Sequence, residues 1–140
     1  MRLLITAGAL LAFSVTGFSQ DKKTEIKKTP VVYTNPTSGA EMFGTYCAVC
    51  HGKDGRGTGP AAGALKKAPA DLTMLSKKSG GKFPGLQITN YIKGDISPEA
   101  HGSRDMPMWG DIFRSVSGGQ AVVDLRIKAL EDYIQGIQQR

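Results

Sequence analysis

The chain has two cysteines, Cys47 and Cys50, three residues apart, and one of its two histidines, His51, follows directly. Thiols at i and i+3 near a helix end project on nearly the same face. Three chemistries use such a trio. A redox-active Cys-x-x-Cys pair sits in an α/β setting with a strand before it, and no strand pattern precedes Cys47. A structural zinc ion takes four ligands. The other histidine, His101, is the remaining soft candidate, and the adjacent Cys50 and His51 fit poorly on one tetrahedral ion. A structural disulfide between the two cysteines closes too short a loop to staple a domain. The third chemistry is covalent haem attachment through Cys-x-x-Cys-His, with two thioethers and an axial nitrogen. Chance produces this pattern on the order of two times in ten thousand in a chain with so few cysteines.

A low-spin haem needs a second axial ligand. Met42, Met74, Met106 and Met108 are available beyond the N-terminal region. Methionine is ordinarily core filler, and Met42 and Met74 read that way. Met106 and Met108 flank Pro107 in "SRDMPMWG", outside any helical stripe, and the proline stiffens the segment that carries the sulfur. On the residues alone both stay open. His101 reads as a solvated loop residue, or else as an alternative axial ligand that would lower the potential by replacing methionine.

The elements that must position these groups read as helices. Residues 1–19 have a basic start, an apolar run and small residues near Ser19, the pattern of a secretory signal peptide. An uncleaved membrane anchor is the alternative, although the run is shorter than the ~20 residues of a spanning helix. Residues 20–36, rich in lysine and threonine, read as a basic flexible linker. The domain then spans 37–140. Ser38-x-x-Glu41 signals a helix start, with Phe43, Cys47 and Cys50 at helical spacing. Helical pieces follow at about 71–80 and 85–93. In the last helix Val123, Ile127, Leu130, Ile134 and Ile137 form one stripe. Two long loops remain, 52–70 and 95–109. So little core does not explain loops of that length, and a bound group that they wrap does.

Net charge is +6. Residues 53–93 hold eight Lys and Arg against two acids, whereas residues 94–140 hold five against seven. A one-sided basic surface steers acidic protein partners; a solvated lysine face is the plainer reading. Charge alone would suit nucleic acid, but the aromatic residues that stack bases are not interleaved with the lysines, and no nucleic-acid partner is expected.

Over residues 38–137 the chain resembles the class I c-type cytochromes. Cys47, Cys50 and His51 match the haem-binding motif, "GTGP" the loop after it, and "MPMWG" the segment in which a methionine ligand directly precedes proline. The resemblance implies an all-α cytochrome c-like fold, with crossing N- and C-terminal helices and long loops around one covalent haem c. It also implies His51 and Met106 as axial ligands, with Met108 as runner-up, and the Pro60 carbonyl as acceptor for His51 Nδ1–H. Tyr91, Arg104 and Trp109 are its further haem contacts, and Gly39 and Phe43 would cross Leu130 and Tyr133. The expected role is an exported, periplasmic one-electron carrier rather than an enzyme. It would meet redox partner proteins with acidic docking surfaces, and could be membrane-associated. Other readings are a haem subunit of a larger dehydrogenase or oxidase complex, a haem enzyme or sensor with an open sixth position, and thiol–disulfide exchange.

Overall fold

The computed structural model describes residues 32–96 and 106–139. The signal-peptide reading of 1–19, most of the proposed linker, His101 and Arg104 lie outside these residues. The described residues form five helices and no strand. None of these helices is long and apolar enough to cross a membrane.

Helix α1 runs through three contiguous stretches: α-helical Gly39–Met42, π-helical Phe43–Cys47 and α-helical Ala48–His51. Ser38 caps it by accepting from the Glu41 N–H at 3.3 Å. The reciprocal half of the expected capping box is replaced. Glu41 reaches past Ser38 and accepts from the Asn35 N–H at 3.4 Å. The π stretch, in which the Ala48 N–H donates to the Phe43 carbonyl, inserts one residue into the expected regular helix. It lets Phe43 and Tyr46 both turn inward.

Helix α2 starts as a 3-10 turn, Leu72–Met74, and continues as Leu75–Lys78. Asp71 caps it, accepting from the Thr73 N–H at 2.9 Å. Helix α3 is Gly85–Lys93 and ends at Gly94 in the left-handed region, as expected. Helix α4, Trp109–Val116, is not among the expected helices: only its first residue falls in the expected loop 95–109, and the sequence reading assigns no element to the rest. Its signal was Trp109, Phe113 and Val116 at i, i+4 and i+7, a short stripe beside the glycine-rich 117–119 stop. Helix α5 is Gln120–Gly136, with Val123, Ile127, Leu130 and Ile134 buried and Ile137 half-buried.

Helices α1 and α5 cross at the centre, as the terminal-helix pattern implied. Phe43 and Tyr133 meet there with ring centroids 5.0 Å apart. Helices α3 and α4 pack on the other sides of α5. Glu131 of α5 accepts from Thr89 of α3 at 3.1 Å. The chain end holds α2: Gln138 Nε2 donates to the Leu72 carbonyl at 2.7 Å, and the Gln139 N–H donates to the Thr73 carbonyl at 2.8 Å.

The domain begins earlier than residue 37. Thr34 is buried, and its Oγ1 and carbonyl both accept from the Arg126 guanidinium of α5. Tyr46 donates its hydroxyl to the Val32 carbonyl. A segment that read as linker is therefore docked, because two buried polar side chains of the core need its backbone and hydroxyl as partners.

Candidate haem site

Cys47 is the last residue of the π stretch, and Cys50 and His51 close α1. All three are half-buried. The last carbonyls of a helix lack partners within it. Here the following loop folds back and supplies them. The N–H of Gly57 donates to the His51 carbonyl at 2.7 Å, that of Gly59 to Cys50 at 3.0 Å and that of Ala61 to Val49 at 2.8 Å. Only glycine fits at 59, since a Cβ there would lie 2.5 Å from the Val49 oxygen and 2.6 Å from that of Ala48. The glycines of "GRGTGP" thus seal the end of the helix that carries the site.

His51 Nδ1 lies 3.1 Å from the Ala70 carbonyl oxygen. A carbonyl only accepts, so Nδ1 carries the proton and Nε2 keeps a free lone pair. Burial pushes the imidazole below its ordinary value, with the Ala70 hydrogen bond opposing. The ring is neutral, in the tautomer a metal ligand requires. The acceptor expected from the resemblance was Pro60. The structure replaces it with Ala70, for a topological reason. Gly59 and Ala61, on either side of Pro60, are spent on the α1 carbonyls, which holds Pro60 at the helix end and leaves it exposed. The segment that reaches the imidazole edge comes from the far side of the first long loop.

No disulfide joins Cys47 and Cys50. Burial, reinforced by the neighbouring Cys50, pushes the Cys47 thiol up to about 12. Burial raises Cys50 as well. Reactive thiols in exchange enzymes are pushed the other way, so the pair is poorly set up for thiol–disulfide exchange.

Trp109, at the start of α4, stacks 5.2 Å from Tyr46 and 5.6 Å from Phe113. Cys47 and Trp109 both pack against the core cluster that holds Tyr46 and Phe113. Tyr91 of α3 is half-buried against the same core. Met106 and Met108 are both exposed, at 42% and 50%. Met108 lies across Gly94, its Cγ 2.8 Å from where a Cβ of that glycine would stand. Sequence reasoning missed Ala70, whose backbone role leaves no side-chain signal, and the aromatic stack of Tyr46, Trp109 and Phe113.

This donor set fits haem. It offers two cysteine sulfurs on one turn, an imidazole with Nε2 free, and two exposed thioethers on a separate segment. Among the described residues no three His, Cys, Asp or Glu side chains cluster to hold a metal ion, so the four-ligand shell of a structural zinc site is missing there.

A family model described as Cytochrome c matches residues 36–137. Searches of curated proteins and of solved structures return no match.

Proposed function

The chain belongs to the cytochrome c family, and from that premise we propose that it is an exported one-electron carrier with His51 and Met106 as axial ligands. Family membership carries with it a covalently bound haem c and electron transfer. The haem, when bound, supplies an iron that gains and gives up one electron.

The work of the chain's own residues is to bind, orient and shield. Cys47 and Cys50 hold the group through sulfur. His51 offers Nε2 in a fixed direction because the Ala70 carbonyl holds Nδ1–H. Ligands that keep their places in both oxidation states keep the reorganisation on electron transfer small. Tyr46, Trp109 and Phe113 pack together in the core against which Cys47 sits. No acid–base or nucleophilic side chain is needed.

Met106 is favoured as the sixth ligand because the Met108 side chain, directly before α4, lies against Gly94. Lys53, Arg56, Lys66, Lys67, Lys77, Lys78 and Lys82 are all exposed. They would steer acidic redox partners to this side of the molecule. Export is supported by the pattern of residues 1–19 and by the need to attach haem outside the cytoplasm.

The observation that carries the reading is the His51–Ala70 hydrogen bond beside Cys47 and Cys50 at the end of the same helix. A pyridine haemochrome assay with a reduced-minus-oxidised spectrum tests it. One haem c per chain and reversible one-electron cycling are expected. A high-spin ferric spectrum with ready carbon monoxide binding would instead indicate an open sixth position.

A further inference from the structure

Arg126 stands in the core of α5 with only 4% of its surface exposed. Its Nε donates to Ser117 Oγ at 3.2 Å, and Nη1 donates to Thr34 Oγ1 at 2.9 Å. Nη1 also lies 3.5 Å from Met42 Sδ, and Nη2 donates to the Thr34 carbonyl at 3.0 Å. The guanidinium also lies over the Phe113 ring, 5.7 Å from its centroid. Every one of these partners is neutral. Among the described residues no carboxylate forms an ion pair with Arg126. A guanidinium is not deprotonated inside a protein, and burying a charge without a counter-charge costs free energy. If the position served only packing, an aliphatic side chain of that size would fill it without this cost.

The hydrogen bonds from this cation run through Tyr46 to the segment before α1. Arg126 donates to Thr34 Oγ1, which lies 3.0 Å from the Tyr46 hydroxyl, and Tyr46 donates to the Val32 carbonyl. Each donor in the series thus points away from the guanidinium, and a cation at its head polarises the rest. Tyr46 is bonded in sequence to Cys47. Its ring contacts Phe113 at 5.7 Å and Trp109 at 5.2 Å. The ring under the guanidinium, Phe113, and the Tyr46 ring belong to the same core cluster that Cys47 packs against, and these contacts include no opposite charge.

We propose that Arg126 is a positioning residue that sets the haem potential: its uncompensated buried charge favours the reduced state of the group held at Cys47, Cys50 and His51. The sign follows from electrostatics. A fixed positive charge stabilises the state that has gained an electron, and a low effective dielectric lets it act through the core. The inference rests on the electron-carrier reading. It adds that the docked segment around Thr34 is a neutral ligand for the cation, holding it in place without cancelling it.

The test is spectroelectrochemical titration of the full-chain holoprotein in four forms: wild type, Arg126→Met, Arg126→Lys and Thr34→Asp. Arg126→Met should lower the equilibrium constant for electron gain about tenfold, a shift of ~59 mV. Arg126→Lys should stay near wild type, because the charge remains. Thr34→Asp puts a carboxylate against an intact Arg126 and should lower the potential in the same direction as Arg126→Met. If Arg126→Met does not assemble, the Lys and Asp forms still decide. A Thr34→Asp potential equal to wild type overturns the proposal, as does an Arg126→Lys potential that falls as far as that of either other variant. A wild-type protein that does not cycle reversibly overturns the electron-carrier reading instead, so the two failures are distinguishable.

Discussion

Gly39 of α1 rests on the backbone of Ala129 in α5. A Cβ built on Gly39 would overlap the Ala129 carbonyl oxygen and lie 2.8 Å from both its carbonyl carbon and Tyr133 Cβ. The crossing brings Phe43 onto Tyr133 and so fixes the angle at which α1 delivers Cys47 and Cys50. Gly39→Ala should therefore push the helices apart and cost about 1–3 kcal/mol, as overpacking does. For a domain of this size the melting temperature of the holoprotein should fall by roughly 4–8 °C per kcal/mol. Gly44→Ala is the control. It is on the same element with nothing within 4 Å of its would-be Cβ, and it should be neutral or slightly stabilising. Equal melting of the Gly39→Ala protein and the wild type would show that the crossing is not tight.

Tyr46 ties the segment at 32–34 to the core through its hydroxyl, which donates to Val32 and lies 3.0 Å from Thr34 Oγ1. Tyr46→Phe keeps the ring contacts with Trp109 and Phe113 and removes only this tie. The buried Thr34 hydroxyl then loses one of its two partners, at a cost of about 1–2 kcal/mol. Limited proteolysis should cleave near Val32 and Tyr33 faster in Tyr46→Phe than in wild type, with haem absorbance unchanged. Cleavage at the wild-type rate would mean that Arg126 alone holds the segment.

These two contacts also mark where the sequence was legible and where it was not. Local patterns were readable: the Cys47-x-x-Cys50-His51 spacing, the α5 stripe from Val123 to Ile134, and the Gly94 stop. Each depends on residues within a few positions of one another. The Ala70 acceptor was not readable, since a carbonyl belongs to every residue and only the path of the loop brings this one to His51. Docking of Thr34 depends on Arg126, 92 residues away. Within its own helix no local pattern marks that arginine as buried. Its burial follows from the neighbours that tertiary packing gives it. The π stretch in α1 was hidden for a related reason, because a one-residue insertion leaves the helical period almost intact over so short a run.

Asp71 gives the fold a dependence on acid. Its carboxyl is held below its ordinary value, first by the Thr73 hydroxyl hydrogen bond. The Thr73 N–H and the charges of Lys78 and Arg56 add to this, and desolvation opposes it. A carboxyl depressed in the folded state contributes stability above its unfolded value and loses it as pH falls through the folded value. Asp71→Ala should cost about 1 kcal/mol or less at neutral pH, the range for an N-cap on an exposed helix end. The gap between the two proteins should narrow as pH drops below the ordinary carboxylate range of about 4. Thermal melts from neutral pH down to about pH 3 measure it. A gap that stays constant with pH would assign the cap to geometry alone, without its charge.

The last prediction separates the two methionines that flank Pro107. Met108 is the residue before α4, and its side chain covers Gly94 at the end of α3. That contact helps join α3 to α4, where Gly110 also sits against the Lys93 carbonyl, 2.6 Å from a would-be Cβ. A sulfur bound to iron would have to leave this contact and uncover the junction. Met106, 42% exposed, stands on the loop side of the proline. Met106→Ala should therefore abolish the sulfur-to-iron charge-transfer band of the ferric protein and lower its potential, because methionine ligation raises it. Met108→Ala should keep the band and lose only the modest stability of a half-exposed contact, about 1 kcal/mol or less. The opposite pattern, with the band lost in Met108→Ala and kept in Met106→Ala, would assign the ligand to Met108. It would also require α4 to shift at its first residue to release the side chain from Gly94.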